Sequence, residues 1–292
     1  MLGPYPGVEW PTASPAAHDV SETALRAIAQ GTMGNATLIR HGVEIFTWGN
    51  ASQYEPIWSS CGRSYVTTAW GMALTRGEIP GGLAALDRPV RDLPSMRALS
   101  FGASIELRHL LSYTSIATPP GSSWSYSCRE HWPWQHQVFQ EVVGRHPTVY
   151  LNAELLPRLG GHLRAITMSD GTTRVEGSPR SQARWGYLWL RGGRWSDGEI
   201  LHPAFVARAL GGGPDGDGRP EPKEGYQIHK AQGGQWSDGL LPGVPDDAFF
   251  AAGGGDKAFI VVVPSLDLVV ARRRSEGYNI GTWLGDILRA VR

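Results

Sequence analysis

The feature that most constrains this chain is an apolar segment with a serine and an arginine near its start. Residues 57–74 read IWSSCGRSYVTTAWGMAL, a pattern that predicts a buried helix beginning close to Ser60. Ser60 and Arg63 are three residues apart, so they would lie on one helical face. Backbone N–H groups at a helix start favour negative charge, which suits a reactive hydroxyl. The Arg63 guanidinium stays charged and cannot act as a base.

Composition narrows the classes of partner and compartment. The chain has 292 residues, with 27 Lys plus Arg and 27 Asp plus Glu, so neither nucleic acid nor an anionic membrane is expected as a partner. No apolar run approaches the ~18–20 residues that cross a bilayer, and the start lacks a signal-peptide pattern, so we expect a cytoplasmic protein. Cys61 and Cys128 cannot form a disulfide framework, and no metal-ligand spacing occurs. We expect no cofactor.

Periodicity along the chain predicts a mixed α/β fold. Paired strand-like runs predict a hairpin, and three later β-rich runs predict successive strands, at 35–50, 247–253, 257–265 and 266–274. Helical spacing predicts further helices at 21–30, 104–115, 131–145, 180–195 (stopping at Gly192-Gly193) and 278–292. Ser21 is the expected cap of the first helix. Glycine, proline and acidic residues at 211–225 predict a surface loop.

Several segments, taken in order, resemble one superfamily. They are GMALTRGEI (71–79), LDRPVRDLP (86–94), IELRHLLSYTS (105–115), PGSSWSYSC (120–128), ARWGYLWLRGGRW (183–195) and VVVPSLDLVV (261–270). Their order resembles the serine β-lactamases and penicillin-binding proteins, closest to the branch with class C-like β-lactamases, carboxylesterases and amide hydrolases. The resemblance covers nearly the whole chain. It implies an antiparallel sheet flanked by helices (residues 1–57 and 177–292) and an all-helical lobe (58–176).

The first motif of that superfamily is Ser-x-x-Lys at the start of a helix. The resemblance makes Ser60 the candidate nucleophile and puts Arg63 in the lysine position. Ser59 is the alternative register, but Gly62 would then replace the lysine. Without the flanking pattern, Ser60 would more often be a helix cap. Arg63 is either a recruited cation that lowers the pKa of a nearby hydroxyl or binds a substrate anion, or a relic that pairs with an acid.

The second motif is usually Pro-Gly-x-x-x-x-Tyr-Ser-Asn, and it resembles residues 120–128. Tyr126 then stands in the position of the motif tyrosine, where a phenolate could take the Ser60 proton and return it to a leaving group. The alternative for Tyr126 is a core aromatic. Cys128 replaces the asparagine and would bind a substrate amide less well, or it is a small buried residue. Trp124 could line the cleft or pack on the helical lobe.

The third motif normally carries a cation on the strand beside the cleft, but the corresponding region here, FFAAGGGDK (249–257), does not begin with one. Small residues permit close approach of a substrate backbone and could present an oxyanion-binding N–H. The candidates are Ala251, Ala252, Gly253 and Gly254. A glycine-rich hairpin turn without a binding role is the equal alternative.

These expectations combine into a serine hydrolase or acyltransferase that acts on a small ester or amide through an acyl-Ser60 intermediate. Ser60 would attack, Tyr126 would transfer protons and Arg63 would supply the electrostatic field. The alternatives are a catalytically impaired protein that binds a small ligand in the cleft, or one that runs a different reaction there. The partner in the first case is a small-molecule substrate, with neither nucleic acid nor membrane.

Overall fold

The computed structural model describes residues 3–31, 34–56, 60–94, 97, 104–125, 132–211, 225–230, 235–236, 239–240, 243–253, 258–273 and 280–291. Its helices are α1 (Glu22–Gly31), α2 (Cys61–Thr75), α3 (Leu107–Leu111), α4 (Trp132–Val143), α5 (Pro147–Tyr150), α6 (Leu156–Leu159), α7 (Pro179–Leu190), α8 (Pro203–Ala209) and α9 (Ile280–Ala290). A π-helical turn, Leu151–Leu155, joins α5 to α6.

The strands are β1 (Asn35–Arg40), β2 (Val43–Trp48), β3 (Leu163–Thr167), β4 (Thr173–Gly177), β5 (Arg194–Trp195), β6 (Gly198–Glu199), β7 (His229–Lys230), β8 (Gln235–Trp236), β9 (Gly239–Leu240), β10 (Phe249–Gly253), β11 (Ala258–Val263) and β12 (Leu268–Arg273). Six of them form one antiparallel sheet in the order β2-β1-β12-β11-β10-β7. The pairs β3–β4, β5–β6 and β8–β9 form separate two-stranded sheets.

The central strands are apolar because both faces of the sheet are covered. Successive residues of a strand point to opposite faces. In β11, Ile260 and Val262 accordingly pack in one apolar cluster, whereas Val261 and Val263 pack in the other. Helix α7 covers the first face, and Gly186 allows its close approach to the side chains of β11 and β12. Helices α1 and α9 cover the second face.

The fold class predicted from the sequence is confirmed. The hairpin at 35–50, the three later strands and the helices at 21–30, 131–145, 180–195 and 278–292 all form, with small differences in length. Ser21 caps α1 as expected, since its hydroxyl accepts the Ala24 N–H at 3.3 Å. The helix predicted at 104–115 is shorter, Leu107–Leu111, because Tyr113 adopts a left-handed conformation with φ of 58°. The β3–β4 hairpin was not predicted. The division into domains stays a prediction.

None of the helices within the described ranges combines the length and apolar character needed to cross a bilayer.

Candidate active site

Ser60 directly precedes α2, and every residue of α2 except Thr75 is buried. Ser60 itself is half-buried and has helical dihedral angles, φ −65° and ψ −11°. A capping serine normally has extended dihedral angles, and its oxygen accepts an amide of the first turn. The Ser60 hydroxyl accepts no such bond within the described residues. The structure therefore does not support the cap interpretation.

The first turn of α2 lies between two strands of different sheets. Gly62 packs against β4 so closely that an added Cβ would be 2.9 Å from the Thr173 carbonyl oxygen and from the Arg174 Cα. On another side, the Cys61 thiol donates to the carbonyl oxygen of Ala258, the first residue of β11, at a distance of 3.6 Å. The first contact holds Gly62 against β4, and the second holds Cys61, the residue after Ser60, against the start of β11.

Arg63 folds back onto the turn that begins at Ser60. Its Nε donates to the Ser60 carbonyl oxygen at 3.2 Å, and its guanidinium carbon is 5.1 Å from the centre of the Tyr113 ring. Only 3% of Arg63 is exposed. A guanidinium over an aromatic face is stabilised by a cation–π interaction. The lysine position of the motif therefore holds a buried, permanent cation beside the candidate nucleophile.

A segment distant in sequence packs along the next turns of α2. The hydroxyl of Ser64 donates to the Gln227 carbonyl oxygen, and that of Thr67 to the Tyr226 carbonyl oxygen, both at 2.8 Å. Gln227 is buried and has a left-handed φ of 59°, and its side-chain amide donates to Gln135 of α4 at 2.5 Å. Buried non-glycine residues in this region of φ occur often at functional sites.

His229 is a buried neighbour of Arg63 that the sequence analysis did not single out. It lies on β7 opposite Phe250 of β10, stacks on that ring at 6.1 Å and is only 8% exposed. Burial, and then the charge of Arg63, lower the pKa of His229 to about 3, so the imidazole is neutral at pH 7. Local sequence carries no signal for it, because its neighbours are set by long-range strand pairing.

Three of the candidate third-motif residues lie on β10. Ala251, Ala252 and Gly253 pair with Ile260, Phe259 and Ala258 of β11, respectively. Since the Ala258 carbonyl also meets Cys61, the end of β10 is brought close to the start of α2. Gly254 lies outside the described residues.

The second motif is described only in part. The Ser125 N–H donates to the Tyr113 carbonyl oxygen at 3.0 Å, and the Tyr113 ring lies against Arg63. Trp124 is half-buried. Tyr126 and Cys128, the two motif residues with proposed chemical roles, lie outside the described residues. The chain that leads into Tyr126 is nonetheless held to a neighbour of Arg63.

Two cavities lie away from Ser60. One, of about 280 Å³, is apolar and bounded by Trp70, Val90 and Val138. The other, of about 540 Å³, is bounded by Trp10 and Arg184. Neither of these two cavities is lined by Ser60, Arg63 or β10.

The fold of this chain is similar to that of several solved structures. No protein-family model and no curated protein sequence matches the chain. A penicillin-binding-protein homologue from Caulobacter crescentus aligns with a TM-score of 0.72 and 12% identity, over 97% of this chain and 99% of that one. A β-lactamase from Mycobacterium bovis gives 0.68 and 17%, over 92% and 100%. EstCE1, described as a hydrolase with promiscuous acyltransferase activity, gives 0.66 and 16%, over 92% and 98%. The chain thus has the fold of the serine β-lactamase and penicillin-binding-protein superfamily, as its motif order predicted.

Proposed function

We propose that this chain is a serine hydrolase or acyltransferase that cleaves a small ester or amide through an acyl-Ser60 intermediate. The observation that carries the proposal is the state of Ser60. Its hydroxyl lies at the start of a buried 15-residue helix, and it is not used as a cap of that helix. A helix start favours the negative charge that develops on an attacked carbonyl.

The proposed reaction has two steps. Ser60 Oγ attacks the carbonyl carbon while its proton passes to a base, and the ester C–O or amide C–N bond breaks as the leaving group takes a proton. Water then attacks the acyl-serine in hydrolysis, or another alcohol or amine attacks it in acyl transfer. Backbone groups of Ala251, Ala252, Gly253 or Gly254 are the proposed oxyanion donors and substrate contacts.

Tyr126 remains the proposed base and acid, because Arg63 cannot give up its proton. The bond from Ser125 to Tyr113, whose ring lies under the Arg63 guanidinium, supports this role, because it holds the residue before Tyr126 to a neighbour of that cation. A nearby cation lowers the pKa of a phenol, which makes it a better base at neutral pH. Trp124 and Cys128 are proposed to contact the substrate.

The solved structures support an acyl-transfer class without pointing to one substrate. Their descriptions include a β-lactamase, a penicillin-binding-protein homologue and a hydrolase with acyltransferase activity, all on this fold. Because one fold supports many reactions, the residues at the site must decide among them. A small-molecule substrate and a cytoplasmic location are part of the proposal, as is the expectation that neither nucleic acid nor a membrane is a partner.

A catalytically impaired binding protein is the second candidate, and one observation favours it. A buried guanidinium occupies the position where the superfamily has a lysine that can exchange protons. Such a protein would bind a small ligand beside Ser60 without forming a covalent intermediate. A different reaction in the same cleft is a further alternative. Covalent labelling would show whether the Ser60 hydroxyl is nucleophilic and so could take part in it.

The test is labelling with a fluorophosphonate, followed by intact-protein and peptide mass spectrometry. We expect one adduct per chain, on the peptide that contains Ser60. Ser60→Ala should lose the adduct, whereas Ser196→Ala, a change at an exposed serine far from α2 in sequence, should keep it. A folded wild-type protein that stays unlabelled but binds ligand would favour the impaired alternative.

A further inference from the structure

His136 joins helix α4 to strand β4 through both of its ring nitrogens. It is 2% exposed, its Nδ1 is 2.9 Å from the Trp132 carbonyl oxygen, and its Nε2 is 2.9 Å from the Thr173 backbone nitrogen. The Thr173 N–H can only donate, so Nε2 accepts and carries no proton. Nδ1 therefore carries the ring proton and donates it to the carbonyl. One neutral tautomer satisfies both contacts, and protonation would direct an N–H at the Thr173 N–H.

Thr173 also touches the helix that carries the candidate nucleophile. Its carbonyl oxygen and the Arg174 Cα each lie 2.9 Å from the position that a Cβ of Gly62 would occupy. No side chain separates the β4 backbone from the first turn of α2 at this point. Thr173 is therefore bonded to His136 through its N–H and packed against Gly62 through its carbonyl. Gly62 is two residues after Ser60.

Burial and the neighbouring charges together keep His136 neutral at pH 7. Burial is the main cause that lowers the pKa of His136, and its bond to the Trp132 carbonyl acts in the opposite direction. His146, whose ring centre is 5.5 Å away, and Arg174 of β4 lower the pKa further, while Asp170 raises it. The net result is a pKa of about 4. As the pH falls through this range, the imidazole gains a proton and the bond to Thr173 is progressively lost.

We propose that His136 is a positioning residue for Ser60, which it holds in place through Thr173 and Gly62. The consequence for acylation rests on the proposed function of Ser60, whereas the mechanical link from α4 to α2 does not. Protonation of the imidazole releases β4 from α4, so the first turn of α2 loses its support and the hydroxyl leaves its reactive position. Acid therefore slows the reaction at Ser60.

Three variants separate this role from a general loss of stability. His136→Gln keeps an acceptor for the Thr173 N–H but does not titrate. His136→Phe removes the acceptor and leaves that N–H without its partner. Thr148→Val is the matched control, because the Thr148 hydroxyl bonds to the Thr173 hydroxyl at 2.9 Å and ties the same strand through a group that does not ionise.

The first readout is the rate of fluorophosphonate labelling between pH 7 and pH 4, on protein shown by circular dichroism to be folded. At pH 7 we expect His136→Phe to be slowed ~10-fold or more, because small displacements of a reacting group are costly, and the other two variants to stay within ~3-fold. The ratio of wild-type to His136→Gln rates should be constant above about pH 5 and fall as His136 titrates, because ionisations common to both proteins cancel. Thr148→Val should follow the wild-type profile.

The second readout does not depend on Ser60 chemistry. Hydrogen exchange at Thr173 and at the first-turn amides of α2 should accelerate together in His136→Phe. If the wild type is never labelled, the proposed function fails, and this exchange experiment still tests the link. Faster exchange at Thr173 with unchanged exchange in α2, or normal labelling of folded His136→Phe at pH 7, would overturn the positioning role.

Discussion

The central sheet and the start of α2 are both buried, but different forces hold them. In β11 and β12, aliphatic side chains such as Ile260 and Val261 alternate between two apolar clusters. Around the start of α2, buried hydroxyls, amides and charges add to the apolar contacts: Ser64 and Thr67 donate to distant carbonyls, and Arg63 lies on an aromatic ring. Apolar burial stabilises in proportion to area and without direction, whereas buried hydrogen bonds require one geometry.

Apolar burial in the sheet contributes mainly to the stability of the fold, whereas the polar contacts around α2 determine the position of its first turn. Burying polar groups costs free energy, so the polar contacts around Ser60 stabilise the fold less than apolar packing of the same area would. In return, these contacts hold the first turn of α2 in one arrangement. The two buried histidines with strongly lowered pKa values, His136 and His229, both contact segments that pack around α2. We therefore expect pH to act more strongly there than on the aliphatic side chains of β11 and β12.

The largest expected effect is the pH dependence that His229 gives to stability. Its pKa is near 6.5 in the unfolded chain and about 3 in the folded protein, with burial as the first cause and Arg63 as the second. Between these values the unfolded chain binds a proton that the folded protein does not. The contribution is therefore complete above pH 6.5 and is lost as the pH falls towards 3, on the order of 5 kcal/mol in total at about 1.4 kcal/mol per pKa unit.

Urea unfolding of wild type and His229→Gln at pH 7 and pH 4 measures this effect. The drop in unfolding free energy between the two pH values should be smaller in the variant. NMR titration of Arg63→Met should show a higher pKa for His229 than in the wild type, because one of its two causes is gone. Equal pH dependence of wild type and variant would contradict the assignment.

Gly62→Ala should have the next largest effect. The new Cβ would lie 2.9 Å from two backbone atoms of β4, which cannot rotate away as a side chain can. We expect a loss of about 2 kcal/mol in unfolding free energy, the usual scale of overpacking, together with slower labelling of Ser60. Gly7→Ala is the control, because its Cβ would meet no atom within 4 Å. Unchanged stability and labelling of Gly62→Ala would show that β4 does not hold the helix.

The same contrast explains what could be predicted from the sequence. Strands β11 and β12 and helix α9 follow local periodicities, so they were predicted with nearly correct boundaries. Ser60 and Arg63 follow from the spacing and order of motifs. The contacts Gln227–Ser64, His136–Thr173 and His229–Phe250 join residues 163, 37 and 21 positions apart, and no local pattern encodes them. Helix α3 ends earlier than predicted, because Tyr113 adopts a left-handed backbone conformation that tyrosine does not favour.

Arg63→Lys tests whether the cation is recruited or a relic. Lysine cannot reproduce the planar contact with the Tyr113 ring and would be free to lose its proton. We expect a recruited Arg63 to give a loss of ~10-fold or about 1.4 kcal/mol in kcat/KM on the best ester substrate found. A gain of similar size, with a new ionisation on the basic side of the pH–rate profile, would favour the relic interpretation.

The smallest expected effect belongs to the sheet. Ile260→Val removes one methylene from the apolar cluster under α7 and should cost about 1 kcal/mol in unfolding free energy. The loss should be equal at pH 7 and pH 5, and labelling of Ser60 should not change. A pH-dependent loss, or altered labelling, would show that the two regions are not separate in the way their interiors indicate.

The most direct measurement compares ester hydrolysis and fluorophosphonate labelling in wild type, Ser60→Ala and Ser64→Ala. Ser64 is the neighbouring serine on the same helix, and its hydroxyl is committed to the Gln227 carbonyl. If Ser60 is the nucleophile, Ser60→Ala abolishes the adduct and lowers turnover by ~100-fold or more, whereas Ser64→Ala retains the adduct on the Ser60 peptide. Unchanged turnover by folded Ser60→Ala, or an adduct on another residue, would contradict acyl transfer through Ser60.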